Sequence, residues 1–231
     1  MSSAKKQTSR PGAKRVLIVD DHPMMRLGLA QLIEVEPNLI LCGEAENAAQ
    51  ALEAIQKLKP DLVLADISLP DKNGLELIKD FLAIQPRLEV LVVSMHDESL
   101  YAERVLRAGG RGYIMKQEGG RKLMEAIRQV MSGGVYVSDK ISARILESLA
   151  GRREAGPGAV LRELTDREFQ VFRLLGEGKG TRNIAEALHL SIKTVEVHRA
   201  NIKSKLGIST APELIRHAVR WIETQKADGG L

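Results

Sequence analysis

The sequence predicts an α/β domain built on a five-stranded, parallel, doubly wound sheet, followed by a smaller all-α domain of four helices. Three observations point there. Short apolar runs rich in Val, Ile and Leu alternate with amphipathic stretches as far as Met131, the texture of parallel strands buried on both faces and joined by helices. From Leu164 onward the pattern is helical throughout, with strong capping signals. A chain of 231 residues also exceeds the roughly 100–150 residues at which single domains cluster.

The elements follow in order. Val16–Val19 is the first strand and ends at Asp20-Asp21; Pro23 then suits the first turn of a helix carrying Met24, Leu27 and Ile33. A second strand, Leu39–Cys42, ends without a carboxylate. Asn47 opens a helix with Ala48, Ala51, Leu52 and Ile55 at helical spacing. The strand Leu62–Ala65 closes on Asp66, and a helix with Leu75, Leu77, Ile78 and Leu82 follows Asn73-Gly74. Val90–Val93 closes on Ser94; the next helix starts at Glu98 and stops at Gly109-Gly110. Tyr113–Met115 closes on Lys116, and Gly119-Gly120 introduces the fifth helix, with Leu123, Ile127, Val130 and Met131. Strict alternation of this kind gives a sheet of flavodoxin-like type.

After Ser138 comes a short helix, Asp139–Leu149, and then a Gly- and Pro-rich stretch, Gly151–Gly158, that reads as a hinge. Thr165 and Glu168 form a capping box with Leu164 and Phe169 as its staple, and the helix they start runs to Gly176. Thr181 is placed to cap a helix through Leu188, and Ser191 a third, Ile192–Leu206, ended by Gly207. Thr210 and Glu213 start a fourth. Two helices joined by the tight His189-Leu190-Ser191 turn make a helix-turn-helix. The expected organisation is a basic tail at 1–13, an α/β domain at 14–138, a linker at 139–160, a helical domain at 161–226 and a short C-terminal extension at 227–231.

Charge divides the chain the same way. Residues 1–15 carry five basic and no acidic groups; residues 16–138 carry 13 basic and 18 acidic. Residues 161–231 reverse the balance, with 12 basic and nine acidic. A partner bearing phosphates therefore suits the C-terminal part. No apolar stretch approaches the ~20 residues of a membrane span. The polar, basic N-terminus is not a secretory signal. A lone cysteine, Cys42, has no internal partner and reads as a buried thiol. The location expected is cytoplasmic, with no membrane partner.

In a doubly wound sheet, ligands bind beyond the carboxyl ends of the strands. The strand endings gather Asp20, Asp21, Asp66, Ser94 and Lys116 at that rim. Three carboxylates share a small volume only with a hard cation to neutralise them, and Mg²⁺ (or Mn²⁺) favours oxygen ligands. A carboxylate beside such an ion, with a hydroxyl and an ammonium at hand, can accept a phosphoryl group.

This constellation resembles the receiver domain of two-component response regulators, supported by Pro70 and Gly74 after Asp66. The resemblance implies Asp66 as phosphoacceptor, Ser94 and Tyr113 as switch residues and Lys116 as the phosphoryl-binding lysine. It also implies Asp21, Asp66 and the backbone carbonyl of Ser68 as metal ligands, with Asp20 acting through water. Gln117 departs from the family, where proline often follows the lysine, so the cis bond of those relatives is not expected here. His22 receives no catalytic role. The C-terminal segment resembles the LuxR-type DNA-binding domain through Leu164-Thr-Asp-Arg-Glu168, Gly178, Ile184-Ala185, Ser191, Thr194-Val-Glu-Val-His198, Asn201-Ile202 and Lys205-Leu206. Receiver followed by this domain is the layout of NarL/FixJ-type regulators.

Stepping about 100° per residue along Ile192–Leu206 puts Val195, His198, Ile202 and Leu206 on the packed side. Lys193, Val197, Ala200, Asn201 and Ser204 face outward, with Thr194 and Glu196 beside them, toward the major groove. Asn201 is suited to an adenine edge, and Lys193, Arg199, Lys203 and Lys205 to phosphates. The packed His198 is expected to be hydrogen-bonded. The function implied is a transcriptional regulator phosphorylated at Asp66 by a sensor histidine kinase and binding double-stranded promoter DNA as a homodimer. No enzymatic turnover is implied beyond self-phosphorylation from a donor and self-dephosphorylation. The alternative is a phosphate-independent DNA-binding protein whose receiver serves only as an interaction module.

Overall fold

A computed structural model describes residues 12–150, 161 and 163–228; the expected hinge at 151–158 and most of the expected basic tail lie outside the described residues. The chain divides into two compact units, Met1–Ile145 and Leu146–Leu231.

In the first unit, β1 (Lys14–Val19), β2 (Leu39–Ala45), β3 (Leu62–Ala65), β4 (Glu89–Ser94) and β5 (Gly112–Met115) alternate with α1 (Pro23–Glu34), α2 (Ala48–Leu58), α3 (Gly74–Ile84), α4 (Glu98–Arg107) and α5 (Gly119–Met131). The strands are all parallel and lie in the order β2-β1-β3-β4-β5. That order reverses direction between β1 and β3, so the crevice at their carboxyl ends is the topological switch point. On one face Val16, Ile18, Leu64, Leu91, Val93 and Ile114 pack with Leu29 and Ile33 of α1 and Leu123, Ile127 and Val130 of α5. The alternate positions Leu17, Val63, Val90 and Val92 are equally buried. Both faces are therefore covered, as the unbroken apolar runs require. Asn47, Asn73 and Asp97 accept hydrogen bonds from Gln50, Leu75 and Ser99 main-chain N–H groups and start α2, α3 and α4.

Two features differ from expectation. β2 continues past Cys42 to Ala45, because a bulge between the Val16–Leu41 and Leu17–Gly43 pairs absorbs Cys42 as an extra residue. A glycine inside a strand hides that continuation from a propensity argument. Second, the residues after α5 return to the sheet: Tyr113 N–H donates to Tyr136 O at 2.9 Å and Tyr136 N–H to Arg111 O at 3.0 Å. They cover the open edge of β5. The helix α6 (Asp139–Leu149) begins against this unit, with Ile141 1% exposed. Ser138 N–H donates to Glu98 at 2.7 Å and Arg144 to Ser99 O at 2.6 Å, both at the start of α4.

The second unit comprises α7 (Asp166–Gly176), α8 (Thr181–Ala187), α9 (Ile192–Leu206) and α10 (Ala211–Asp228). The Thr165–Glu168 capping box is complete, and Leu164 and Phe169 are both buried. Ser191 caps α9, Gly207 ends it in the left-handed conformation, and Thr210 accepts from Glu213 N–H. The expected cap at Thr181 is a correction. Gly180 occupies the cap position, Thr181 is the first helical residue, and its hydroxyl accepts from Arg199 instead. Phe169 and Phe172 pack at 5.6 Å from Trp221, which locks α10 onto α7.

Candidate functional site

The acidic residues at the ends of β1 and β3 meet as the topology requires. Asp20 and Asp66 are buried at 1% and 3% exposure, and Ser94 at 1%. The Lys116 side chain is 3% exposed, and its Nζ lies 2.7 Å from both Asp20 Oδ2 and Asp66 Oδ2. Burial disfavours the ammonium, but its close pairing with the Asp20 and Asp66 carboxylates outweighs that, so Lys116 titrates above its usual value. The Ser68 N–H donates to Asp66 Oδ1 at 3.0 Å. His22 donates its N–H to Asp20 Oδ1 at 2.9 Å, and its ring nitrogen lies 2.7 Å from Asp21 Oδ1.

Three carboxylates and one ammonium leave an excess of two negative charges. One ligand atom each from Asp20, Asp21, His22 and Asp66 lies within 4.8 Å of the others. Asp20 Oδ2 and Asp21 Oδ1 are buried and accept no aligned hydrogen bond; their near neighbours are the Lys116 ammonium and the His22 ring. Buried carboxylate oxygens in this condition fit a hard divalent cation.

Beside the acids, Tyr113 is fully buried and donates its hydroxyl to His96 O at 2.8 Å. Burial pushes its phenol far above the usual value, against a smaller opposing hydrogen bond with Ser94. His96 also bonds Ser68 Oγ through Nε2 at 2.7 Å and stacks on Tyr101 of α4 at 5.1 Å.

In the second unit, Val195 and Ile202 are fully buried, while Lys193, Glu196, Val197, Ala200, Asn201 and Ser204 are exposed along the opposite side of α9. The turn before α9 holds His189 at φ +53° and is closed by Leu190 N–H to Ala185 O at 2.8 Å. An exposed helix after such a turn has the shape that enters a major groove.

Comparison with known proteins agrees for both units. Residues 16–128 match the response regulator receiver domain and residues 162–218 the luxR family of bacterial regulatory proteins. The transcriptional regulatory protein DegU of Brevibacillus brevis is 30% identical over 226 residues, covering 91% of this chain and 96% of its own. The chain belongs to the NarL/FixJ-type response regulators. Among solved structures it resembles RcsB of Salmonella enterica serovar Typhimurium bound to promoter rprA with the phosphomimetic BeF₃⁻, at 26% identity, 90% and 98% coverage and a TM-score of 0.64. It also resembles two RcsB dimers bound to two parallel DNAs, at 27% identity, 89% and 97% coverage and a TM-score of 0.55.

The response regulator thus pairs a receiver domain with a LuxR-type helix-turn-helix domain, the layout of a phosphorylation-controlled transcriptional regulator. Asp20, Asp21, Asp66, Ser68, Ser94, Tyr113 and Lys116 gather at one end of the sheet. Three side chains differ from expectation. Lys205, expected at a phosphate, is held inside the domain by Glu168 at 2.6 Å and Glu163 O at 3.1 Å. Arg199 donates to Thr181 Oγ1 at 2.5 Å. His198 is half-buried as expected, but among the described residues its Nδ1 has no hydrogen-bond partner. Sequence reasoning missed Arg26 and Glu46 beside the acid pocket. Arg26 reads as one exposed charge of an amphipathic helix, and Glu46 lies past the point where β2 was expected to stop.

Proposed function

We propose that Asp66 is the phosphoacceptor of this regulator, with a sensor histidine kinase as donor and Mg²⁺ held by Asp21, Asp66 and the Ser68 carbonyl, and by Asp20 through water. A carboxylate oxygen of Asp66 attacks phosphorus in line. The O–P bond forms as the bond to the donor breaks, and the kinase imidazole leaves with the electron pair. A divalent cation held by these residues would supply charge to neutralise phosphoryl oxygens that otherwise repel the attacking carboxylate. Lys116 passes from bridging Asp20 and Asp66 to pairing with a phosphoryl oxygen, and the Ser94 hydroxyl donates to another. The observation that carries this reading is the single buried ammonium shared by two carboxylates in a pocket of three. The same charge set argues against a receiver that serves only as a phosphate-independent interaction module.

Tyr113 is the switch aromatic in this reading, and its starting point is a buried ring tied to His96 O. RcsB assembles as dimers on DNA, and we carry that over: the phosphorylated regulator binds two half-sites of promoter DNA with α9 in the major groove. Lys193, Thr194, Glu196, Val197, Ala200, Asn201 and Ser204 form the reading face, and Lys203 contacts phosphate. Lys205 and Arg199 serve first to hold α9.

Incubation with acetyl phosphate and Mg²⁺ tests the acceptor. The wild-type chain gains one phosphoryl group by intact mass, and Asp66→Asn gains none while keeping its circular dichroism. Labelling of Asp66→Asn at the wild-type rate would remove the assignment.

A further inference from the structure

Arg26 is a guanidinium on α1 with a side chain only 10% exposed, an expensive location for a charge without full pairing. It has two hydrogen-bond acceptors and one more distant ionic neighbour. One nitrogen donates to the main-chain carbonyl of Asp20 at 2.7 Å. A second donates to Glu46 at 2.7 Å, and Nε lies 3.6 Å from Glu44. The Asp20 carbonyl sits where the ladder runs out: the last β1 pairs are Val19 with Ala45 and with Ala65. A carbonyl past the ladder needs a donor from elsewhere, and Arg26 supplies it.

That carbonyl belongs to the peptide plane joining Asp20 to Asp21. Holding the plane restrains ψ of Asp20 and φ of Asp21, and with them the directions in which the two Cα–Cβ bonds leave the chain. Arg26 is in turn fixed by carboxylates on the edge strand β2 and the residue after it, which give no ligand to the pocket. We infer that Arg26, anchored by Glu46 and Glu44, is a positioning residue that aims Asp20 and Asp21 at the cation site. This rests on the pocket being a cation site. It assigns a task to the β2 edge: to hold the acids rather than to contribute one. Groups that orient metal ligands in this way change metal affinity by about 10–100-fold when removed.

The charge of Arg26 works against that role, because a cation near the pocket repels a metal ion. The two effects predict opposite signs and can be separated. Mn²⁺ binding to the full chain, measured by electron paramagnetic resonance of the free ion, gives the readout without any phosphoryl transfer. Arg26→Lys keeps the charge but cannot span the Asp20 carbonyl and two carboxylates; it is expected to weaken Mn²⁺ binding about 10-fold or more. Arg26→Met is expected to weaken it as well, despite removing a positive charge. Glu46→Gln, at an exposed side chain, loosens the anchor and gives a smaller weakening with an unchanged metal-free melting temperature. Wild-type affinity in Arg26→Lys, or tighter binding in Arg26→Met, overturns the inference. If Arg26→Met fails to fold, Arg26→Lys decides alone, and unchanged affinity in it overturns the inference whatever Glu46→Gln shows. Absence of Mn²⁺ binding by the wild type, or full binding by Asp21→Asn, would instead count against the cation site itself.

Discussion

Lys116 shows how one residue sets the electrostatics of the pocket. Its ammonium is the counter-charge for two buried carboxylates, so Lys116→Met leaves them uncompensated and is expected to cost about 3 kcal/mol of stability at neutral pH. Because the folded pKa lies above the lysine value of 10.5, the contribution is complete below pH 10.5 and is lost as pH rises through the folded value. Denaturant titrations of wild type and variant should therefore differ by a constant amount from neutral pH up to about that pH and converge above it. On α9, Asn201 and Lys203 separate reading from positioning. Asn201 is exposed on the outward face, so Asn201→Ala should cost about 1–3 kcal/mol on the operator and far less on random DNA. Lys203→Ala should weaken both alike and flatten the log–log salt slope by about one unit. Equal losses on both DNAs for Asn201→Ala would make it a positioning contact.

Helix α9 is oriented by α7, and the link is ionic. Glu168 is 3% exposed and takes part in the capping box while accepting the Lys205 ammonium at 2.6 Å. Burial raises its pKa, but Lys205 and the Thr165 N–H lower it more, leaving it below the usual 4.5. A depressed carboxyl contributes stability above its unfolded pKa and loses it as pH falls through the folded one. Glu168→Gln is expected to cost about 1.5–3 kcal/mol at pH 7. The difference from wild type should shrink progressively below pH 4.5, as followed by urea titration of the helical domain. A pH-independent difference would mean that the cap alone carries the effect. Close backbone approach fixes other elements. A Cβ on Gly74 would stand 2.4 Å from Ile67 Cα, and one on Gly176 2.6 Å from Ala218 O.

For the whole molecule, two units with separate buried cores imply two separable responses. The single tryptophan, Trp221, is buried against Phe169 and Phe172 in the helical unit, so its fluorescence reports that unit. A ligand that binds only the folded receiver raises the receiver's stability by mass action. Saturating Mg²⁺ should raise the melting temperature read by circular dichroism at the receiver transition while leaving the Trp221 transition in place. An equal shift in both would show that the units unfold together. Charge follows the same division, with an acidic receiver and a basic DNA-binding domain.

Much of this was legible in the residues alone. Strands buried on both faces write themselves as unbroken runs such as Leu62–Ala65, and each run of β1, β3, β4 and β5 ends in the polar residue that the sheet then gathers. Local capping chemistry located the starts of α2, α7 and α9 because an N-cap acts on N–H groups only two or three residues away. What depends on distant partners was not legible. The bulge at Cys42, the return of Tyr136 to β5, the Arg26–Glu46 pair and the Lys205–Glu168 pair join residues 20 or more positions apart. A long side chain such as Lys205 reaches a phosphate or a neighbouring helix with equal ease in sequence. Only the packing of α9 on α7 decides, because it puts a buried carboxylate within 2.6 Å of the ammonium, and such a charge must be paired.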